Sequence, residues 1–115
     1  MLLRRVKGFS ILELLIVLAV VGILAAVAVY ALGVSRANSR DAKRISDVSV
    51  LRSGLSQHWL LMARYPVNEG VDLGVPGGPA IGLTTDGFVG VDGTGNVILP
   101  KVPIGPKAGE YYRYK

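Results

Sequence analysis

The sequence predicts an α+β fold, with one long N-terminal α-helix packed on a small antiparallel β-sheet. No proline occurs before Pro66, so one helix of roughly 80 Å can run from Phe9 to about Ala63. Its first half is apolar and its second half is amphipathic. All six prolines and most glycines lie after Tyr65, which favours loops, turns and short strands there.

The first half of the helix has the length and composition of a membrane span. No residue from Leu14 to Val34 is charged, and roughly 20 apolar residues suffice to cross the hydrocarbon core. Glu13 stands at the start of this run. A carboxylate costs about 2.5 kcal/mol or more at the bilayer centre, and less near the interface. We therefore expect Glu13 to have a partner.

The second half has helical periodicity. Apolar residues recur at spacings of three and four, at Val48, Leu51, Leu55, Trp59 and Met62, which predicts one inward-facing stripe. Lys43 and Arg44 are spaced for ion pairs with Asp47 on the helix surface.

Two runs suited to strands flank Asp92-Gly93-Thr94-Gly95. Residues 88–91 and 96–99 are therefore predicted to form a β-hairpin. Residues 111–114 are aromatic-rich and predict a third strand. A lone hairpin is marginal in water, so we expect this sheet to pack on the stripe of Leu51, Leu55, Trp59 and Met62.

Composition argues against several classes of protein. The chain has 115 residues and no cysteine, so neither a disulfide framework nor a thiolate metal site is possible. His58 is the single histidine, and we expect it to be a solvated helix residue. No grouping of side chains defines a catalytic triad, so we expect no catalytic residue, no cofactor and no enzyme activity.

Calcium is the one metal that the sequence brings into question. Asp86, Asp92 and Asn96 carry oxygen ligands of the kind that calcium prefers. The Asp92–Asn96 segment is too short for the twelve-residue calcium loop and lacks its closing glutamate. An ordinary turn is the favoured interpretation, and no metal ligand is predicted.

The N-terminal block resembles a known class of signal. The leader contains Arg4, Arg5 and Lys7, and the block from Gly8 to Val29 is GFSILELLIVLAVVGILAAVAV. This block closely resembles the class III signal of type IV pilins and of the pseudopilins of type II secretion. A second match, Arg40-Asp41-Ala42-Lys43-Arg44 with a later Tyr65-Pro66, resembles the second half of the helix in many of these proteins.

The resemblance implies a processed filament subunit with a pilin-like fold. A prepilin peptidase would cut between Gly8 and Phe9 and methylate the new N-terminus at Phe9, and Glu13 would guide assembly. The implied organisation is a leader at 1–8, a transmembrane and filament-core helix at 9–34, an amphipathic helix at 35–64 and a loop-rich β head at 65–115.

The implied partners follow from the same resemblance. They are the peptidase, other pilin subunits, an inner-membrane assembly platform, and membrane lipid before assembly. The implied location is the cytoplasmic membrane as a single-pass precursor, then an extracellular or periplasmic filament. Loss of the leader lowers the formal charge of +5 by three, which weakens a nucleic-acid interpretation. The basic cluster at Arg36, Arg40, Lys43 and Arg44 could meet lipid headgroups, or DNA if the filament serves uptake. A solvated helix face, interleaved with Asp41 and Asp47, is the favoured interpretation.

The favoured interpretation is a structural subunit of a type IV pilus or related filament, and two alternatives, a pseudopilin and a membrane-anchored binding module, differ from it in role. A type IV pilus subunit and a pseudopilin of a secretion or competence system share every feature above. A single-pass membrane-anchored binding module would use residues 9–34 only as a tether. An ordinary secretory signal has a shorter apolar region, usually of about 7 to 15 residues, and gives Glu13 no role.

Overall fold

The computed structural model describes residues 8–115. One helix, α1, spans Ile11–Met62 and is followed by five short strands. The strands are β1 (Val71–Leu73), β2 (Gly82–Thr84), β3 (Gly87–Val89), β4 (Val97–Leu99) and β5 (Tyr112–Tyr114). The α+β, pilin-like layout is therefore confirmed. By its internal contacts the chain divides into two units, Met1–Asn38 and Ser39–Lys115.

The end of α1 has an unusual cap. Ala63 follows the last helical residue with φ = 52°, and its backbone N–H donates a 2.8 Å hydrogen bond to the carbonyl of Trp59. Glycine is the usual residue at such a left-handed position because any Cβ is strained there.

The strands form two small antiparallel sheets in the second unit. β1 pairs with β5, with Val71 opposite Tyr114 and Leu73 opposite Tyr112. The other sheet has the order β3-β2-β4. The predicted third strand at 111–114 is confirmed as β5, although it pairs with β1, a strand that the sequence did not predict.

The predicted hairpin between residues 88–91 and 96–99 is wrong. β3 and β4 both pair with β2 and not with each other. The tight turn lies at Thr85-Asp86, where Thr84 faces Gly87 across the β2–β3 pair. Gly87 has φ = 116°, a conformation open to glycine. The hairpin turn is therefore made by Asp86-Gly87 and not by Asp92-Gly93.

The core of the second unit lies between α1 and the sheets. Leu73, Ala80 and Val102 are its buried centre, and Leu51 of α1 packs against them. Gly54 is buried on the same helix. A Cβ there would lie 2.8 Å from Cγ of Leu99, so glycine permits β4 to approach α1 closely.

The inward stripe of α1 is only partly as predicted. Leu51, Leu55 and Met62 are half-buried, whereas Val48 is 53% and Trp59 46% exposed. The buried positions of α1 are instead Asp47, Gly54 and His58. The helix therefore turns a narrow face of small and polar residues towards the sheets, with Leu51 between them.

The prediction that His58 is solvated is wrong. Its side chain is 1% exposed. Its Nδ1 lies 2.8 Å from the carbonyl oxygen of Arg64, an acceptor that follows the end of the helix. Nδ1 is thus the protonated nitrogen, and the ring ties the last turns of α1 to the segment that leaves it.

Candidate functional site

The predicted cleavage junction lies just before α1 in an exposed segment. Gly8 is exposed and the Phe9 side chain is 78% exposed. The carbonyl of Ser10 accepts the first helical hydrogen bond, from the backbone N–H of Leu14 at 3.1 Å. Ser10 is therefore the N-cap, and the peptide bond between Gly8 and Phe9 lies outside the helix.

Glu13 lies in the first turn of α1 and is exposed. A carboxylate at this end of a helix is favoured by the helix dipole, by about 0.3 to 1 kcal/mol. Ser10 and Glu13 also have the spacing of a capping box, Ser-x-x-Glu. The sequence carried this signal for Ser10, and the sequence reasoning missed it.

The apolar half of α1 is entirely exposed. No residue of its most apolar 18-residue stretch is buried. Ile11, Leu24 and Val29 are 81%, 63% and 71% exposed. By length and composition this helix can cross a membrane.

The predicted basic leader residues Arg4, Arg5 and Lys7 lie outside the described residues. Their roles stay predictions.

Two residues of the basic cluster after the apolar run, Lys43 and Arg44, have different acidic partners. Lys43 Nζ forms a 2.7 Å ion pair with Oδ2 of Asp47, as the sequence predicts. The same ammonium also donates a 2.7 Å hydrogen bond to the carbonyl of Ile104. Lys43 therefore joins α1 to the segment between β4 and β5.

Arg44 does not pair with Asp47, so that prediction is wrong. Its guanidinium forms an ion pair with Asp41, with 2.6 Å between Nη1 and Oδ1. It also donates two hydrogen bonds to the Glu110 carboxylate, from Nε to Oε1 at 2.7 Å and from Nη2 to Oε2 at 3.1 Å. The planar guanidinium matches a carboxylate through two parallel bonds, a geometry that Asp47 on the same helix does not offer. The hydrogen bond from Arg44 lowers the pKa of Glu110 below its ordinary value.

Two tyrosines complete the attachment of β5. The Tyr112 hydroxyl donates a 2.9 Å hydrogen bond to Oδ2 of Asp47. Burial, assisted by that carboxylate, raises the pKa of Tyr112 to about 12. The Tyr114 hydroxyl donates to the carbonyl of Pro66 at 2.9 Å, and burial raises the pKa of Tyr114.

We call the set Lys43, Arg44, Asp47, Glu110 and Tyr112 the clasp.

Sequence reasoning missed two of the five residues of the clasp. It identified Lys43, Arg44 and Asp47 by their spacing on one helix. Glu110 and Tyr112 lie more than 60 residues away along the chain, and a single sequence carries no signal for such a pairing.

The segment raised as a possible calcium site is held by its own hydrogen bonds. Asp86 Oδ2 accepts a 2.9 Å hydrogen bond from Thr94, and the Thr84 hydroxyl donates to the carbonyl of Thr94 at 2.8 Å. Within residues 8–115, no group of three or more His, Cys, Asp or Glu side chains could hold a metal ion. Hydrogen bonds therefore hold the loop at Thr94 against the turn of the β2–β3 hairpin.

The exposed apolar helix, the junction before it and the small β head together have a pilin-like layout. Residues 3–29 match the family model described as the prokaryotic N-terminal methylation motif. The matched segment includes Gly8, Phe9 and Glu13, and the resemblance predicted from the sequence is confirmed.

The chain is also similar to several curated proteins that share one name. The chain is 35% identical over 66 residues to type II secretion system core protein G of Dickeya chrysanthemi, covering 57% of this chain and 43% of that protein. It is 36% identical over 66 residues to the protein of that name from Aeromonas hydrophila, covering 57% of this chain and 46% of the relative. It is 32% identical over 66 residues to type II secretion system core protein G of Klebsiella pneumoniae, covering 57% of this chain and 47% of that protein.

The aligned part of this chain thus spans a little under half the length of each of these relatives. No solved structure gives a significant match to this chain.

Proposed function

We propose that this chain is a structural subunit of a filament of the type IV pilus and type II secretion class. It is made as a membrane-held precursor, cleaved between Gly8 and Phe9, and polymerised through the apolar half of α1. The observation that carries the proposal is the methylation motif at residues 3–29 on a helix half with no buried residue.

The exposure of this helix half supports two successive environments for it. Large apolar side chains facing water on every side of a helix are unfavourable, by about 25 cal/mol for each Å². Lipid covers them while the subunit waits in the membrane. Copies of the same helix cover them in a filament, where close packing of side chains replaces lipid contact. Head-to-tail contacts between identical subunits do not close, so they generate a fibre.

Glu13 is proposed to direct assembly. It is exposed in the first turn of α1 and forms no ion pair with another described residue. Cleavage before Phe9 creates an N-terminal amine four residues away from it along the chain. In a bundle of low dielectric, the amine of one subunit and the Glu13 carboxylate of a neighbour attract each other with little screening.

Processing requires partners that this chain does not supply. A membrane prepilin peptidase removes residues 1–8 and methylates Phe9, and an inner-membrane platform extracts the subunit from lipid. The precursor therefore resides in the cytoplasmic membrane and the filament outside it. The role is mechanical, and the chain catalyses no reaction.

Within this class, a pseudopilin of type II secretion is the favoured role. Four curated relatives are type II secretion system core protein G, a name that fits the pseudopilin alternative. The family model matches residues 3–29, a segment that resembles the signal of pilins and pseudopilins alike, so the role of a pilus subunit is the second candidate. Deletion of the chain separates them: loss of protein secretion without loss of surface fibres supports a pseudopilin, and loss of surface fibres supports a pilus subunit.

The decisive test of the shared proposal compares two carboxylate substitutions in cells. Glu13→Ala removes the proposed assembly charge, whereas Glu69→Ala removes an exposed carboxylate of the head. We expect Glu13→Ala to abolish filaments while the protein still inserts into the membrane, and Glu69→Ala to leave filaments unchanged. Normal filaments from Glu13→Ala would overturn the role of Glu13. Filaments assembled from a Gly8→Val chain that keeps its leader would overturn processing as a requirement.

A further inference from the structure

Two charged residues mark the ends of the apolar half of α1. Between Glu13 and Arg36 no residue carries a charge. At a rise of 1.5 Å per residue, this separation is about 34 Å along a helix, slightly more than the roughly 30 Å hydrocarbon core of a bilayer. When Glu13 lies at one surface of a membrane, Arg36 therefore lies among the headgroups of the other.

The residues before Arg36 suit that depth. Tyr30, six positions earlier, is 76% exposed, and tyrosines are enriched where hydrocarbon meets headgroups. Ser35 directly precedes Arg36 and ends the apolar run. The composition of the first unit thus changes from apolar to polar at the depth that helix geometry assigns to the membrane surface.

Arg36 differs from the two basic residues that form the clasp. Lys43 and Arg44 have carboxylate partners in Asp47, Asp41 and Glu110. Within residues 8–115, Arg36 is exposed and takes part in no ion pair. Its guanidinium is available for a ligand outside the chain.

We propose that Arg36 binds the phosphate of an anionic phospholipid at the membrane surface opposite the leader. The inference rests on the proposed membrane-held precursor. A guanidinium matches phosphate oxygens through two parallel hydrogen bonds, and the long aliphatic stem of arginine lets it reach the headgroups from the end of a span. The contact gives the waiting subunit a preference for acidic lipid and holds the outer end of the span at the surface.

The test measures which lipids surround the span. The full chain is reconstituted in vesicles of phosphatidylcholine and phosphatidylglycerol at about 7:3, and trace spin-labelled lipid of either type reports by electron paramagnetic resonance the fraction immobilised against protein. One basic residue near a surface is worth about 1 kcal/mol of attraction to acidic lipid. We therefore expect Arg36→Gln to lower the preference for phosphatidylglycerol by two- to five-fold.

Three variants make this result specific. Arg36→Lys keeps the charge and retains part of the preference, because a lysine binds phosphate as a point charge. Arg52→Gln removes a charge from an exposed position further along α1 and leaves the preference unchanged. The basic leader contributes equally to all variants. Added salt reduces the preference of the wild type towards that of Arg36→Gln.

Two failures have different meanings. Immobilised lipid in every sample, with the same preference for phosphatidylglycerol in wild type and Arg36→Gln, overturns the role of Arg36 and leaves the membrane span intact. Absence of immobilised lipid from the wild-type sample overturns the membrane-held precursor itself, and the inference with it.

Discussion

The hydroxyl of Tyr112 in β5 donates a 2.9 Å hydrogen bond to Oδ2 of Asp47 in α1. Asp47 is 8% exposed, and the same oxygen accepts from Lys43 at 2.7 Å. Burying a carboxylate without hydrogen-bond partners costs free energy, and the two donors offset that cost for Asp47. This contact attaches the last strand of the chain to the helix.

A double-mutant cycle tests that attachment. Tyr112→Phe removes one donor and lowers the free energy of unfolding by about 1 kcal/mol, and Asp47→Ala leaves both donors without their acceptor and lowers it by about 2 kcal/mol. We expect the two changes to be coupled by about 1 kcal/mol, measured by urea unfolding of the full chain in detergent micelles. Tyr111→Phe, which removes a hydroxyl outside the clasp, is the control. Strictly additive effects would show that the hydrogen bond contributes nothing.

The ion pair of Arg44 with Glu110 predicts a dependence on acid. The pKa of Glu110 is lower in the folded chain than its ordinary value of 4.5. Its stabilising contribution is therefore full above pH 4.5 and is lost as the pH falls through the lowered folded pKa. The urea midpoint of the wild type should fall more steeply below pH 4.5 than that of Glu110→Gln. Glu69→Gln should follow the wild type, and identical acid profiles for all three chains would contradict the assignment.

Gly54 predicts a substitution that fails despite better helix propensity. Alanine is favoured over glycine inside a helix by about 1 kcal/mol. At this position its Cβ would meet Cγ of Leu99 at 2.8 Å and Cδ2 of Leu83 at 3.3 Å, and overpacking typically costs about 1 to 3 kcal/mol. We expect Gly54→Ala to lower the melting temperature, whereas Ser53→Ala, at the exposed neighbouring position, should leave it unchanged or raise it. A more stable Gly54→Ala chain would mean that β4 does not approach α1 this closely.

Ala63 predicts a substitution that stabilises. Its φ of 52° costs an alanine about 1 kcal/mol that glycine avoids. Ala63→Gly should therefore raise the free energy of unfolding by up to about 1 kcal/mol, as measured by urea unfolding. Ala42→Gly, inside the helix, should lower it by a similar amount. A loss of stability from Ala63→Gly would place the helix end elsewhere.

The long helix was predictable because its determinants are local. The absence of proline before Pro66 and the unbroken apolar run set its extent, and the predicted ends at Phe9 and about Ala63 lie within two residues of the observed Ile11–Met62. The pair of Lys43 and Asp47 was predictable for the same reason, since a spacing of four residues places two side chains together on any helix.

The head was less predictable because distant contacts decide it. The sequence offered Asp-Gly at residues 86–87 and at 92–93, and pairing with the central strand β2 selected the first. β2 itself, Gly82-Leu83-Thr84, begins with glycine and is too short for alternation to reveal it. The partner of His58 is the backbone carbonyl of Arg64. Every residue has such a carbonyl, so the sequence pattern gives no sign that this one accepts a hydrogen bond from the histidine ring.

The intact mass of the protein isolated from its own cells tests the filament-subunit proposal most directly. Processing predicts a chain that begins at Phe9, lacks Met1–Gly8 and carries one added methyl group. A single mass spectrum reports both changes. The unmodified 115-residue chain recovered as the functional form would contradict the proposal, because the proposal requires cleavage before Phe9 ahead of assembly.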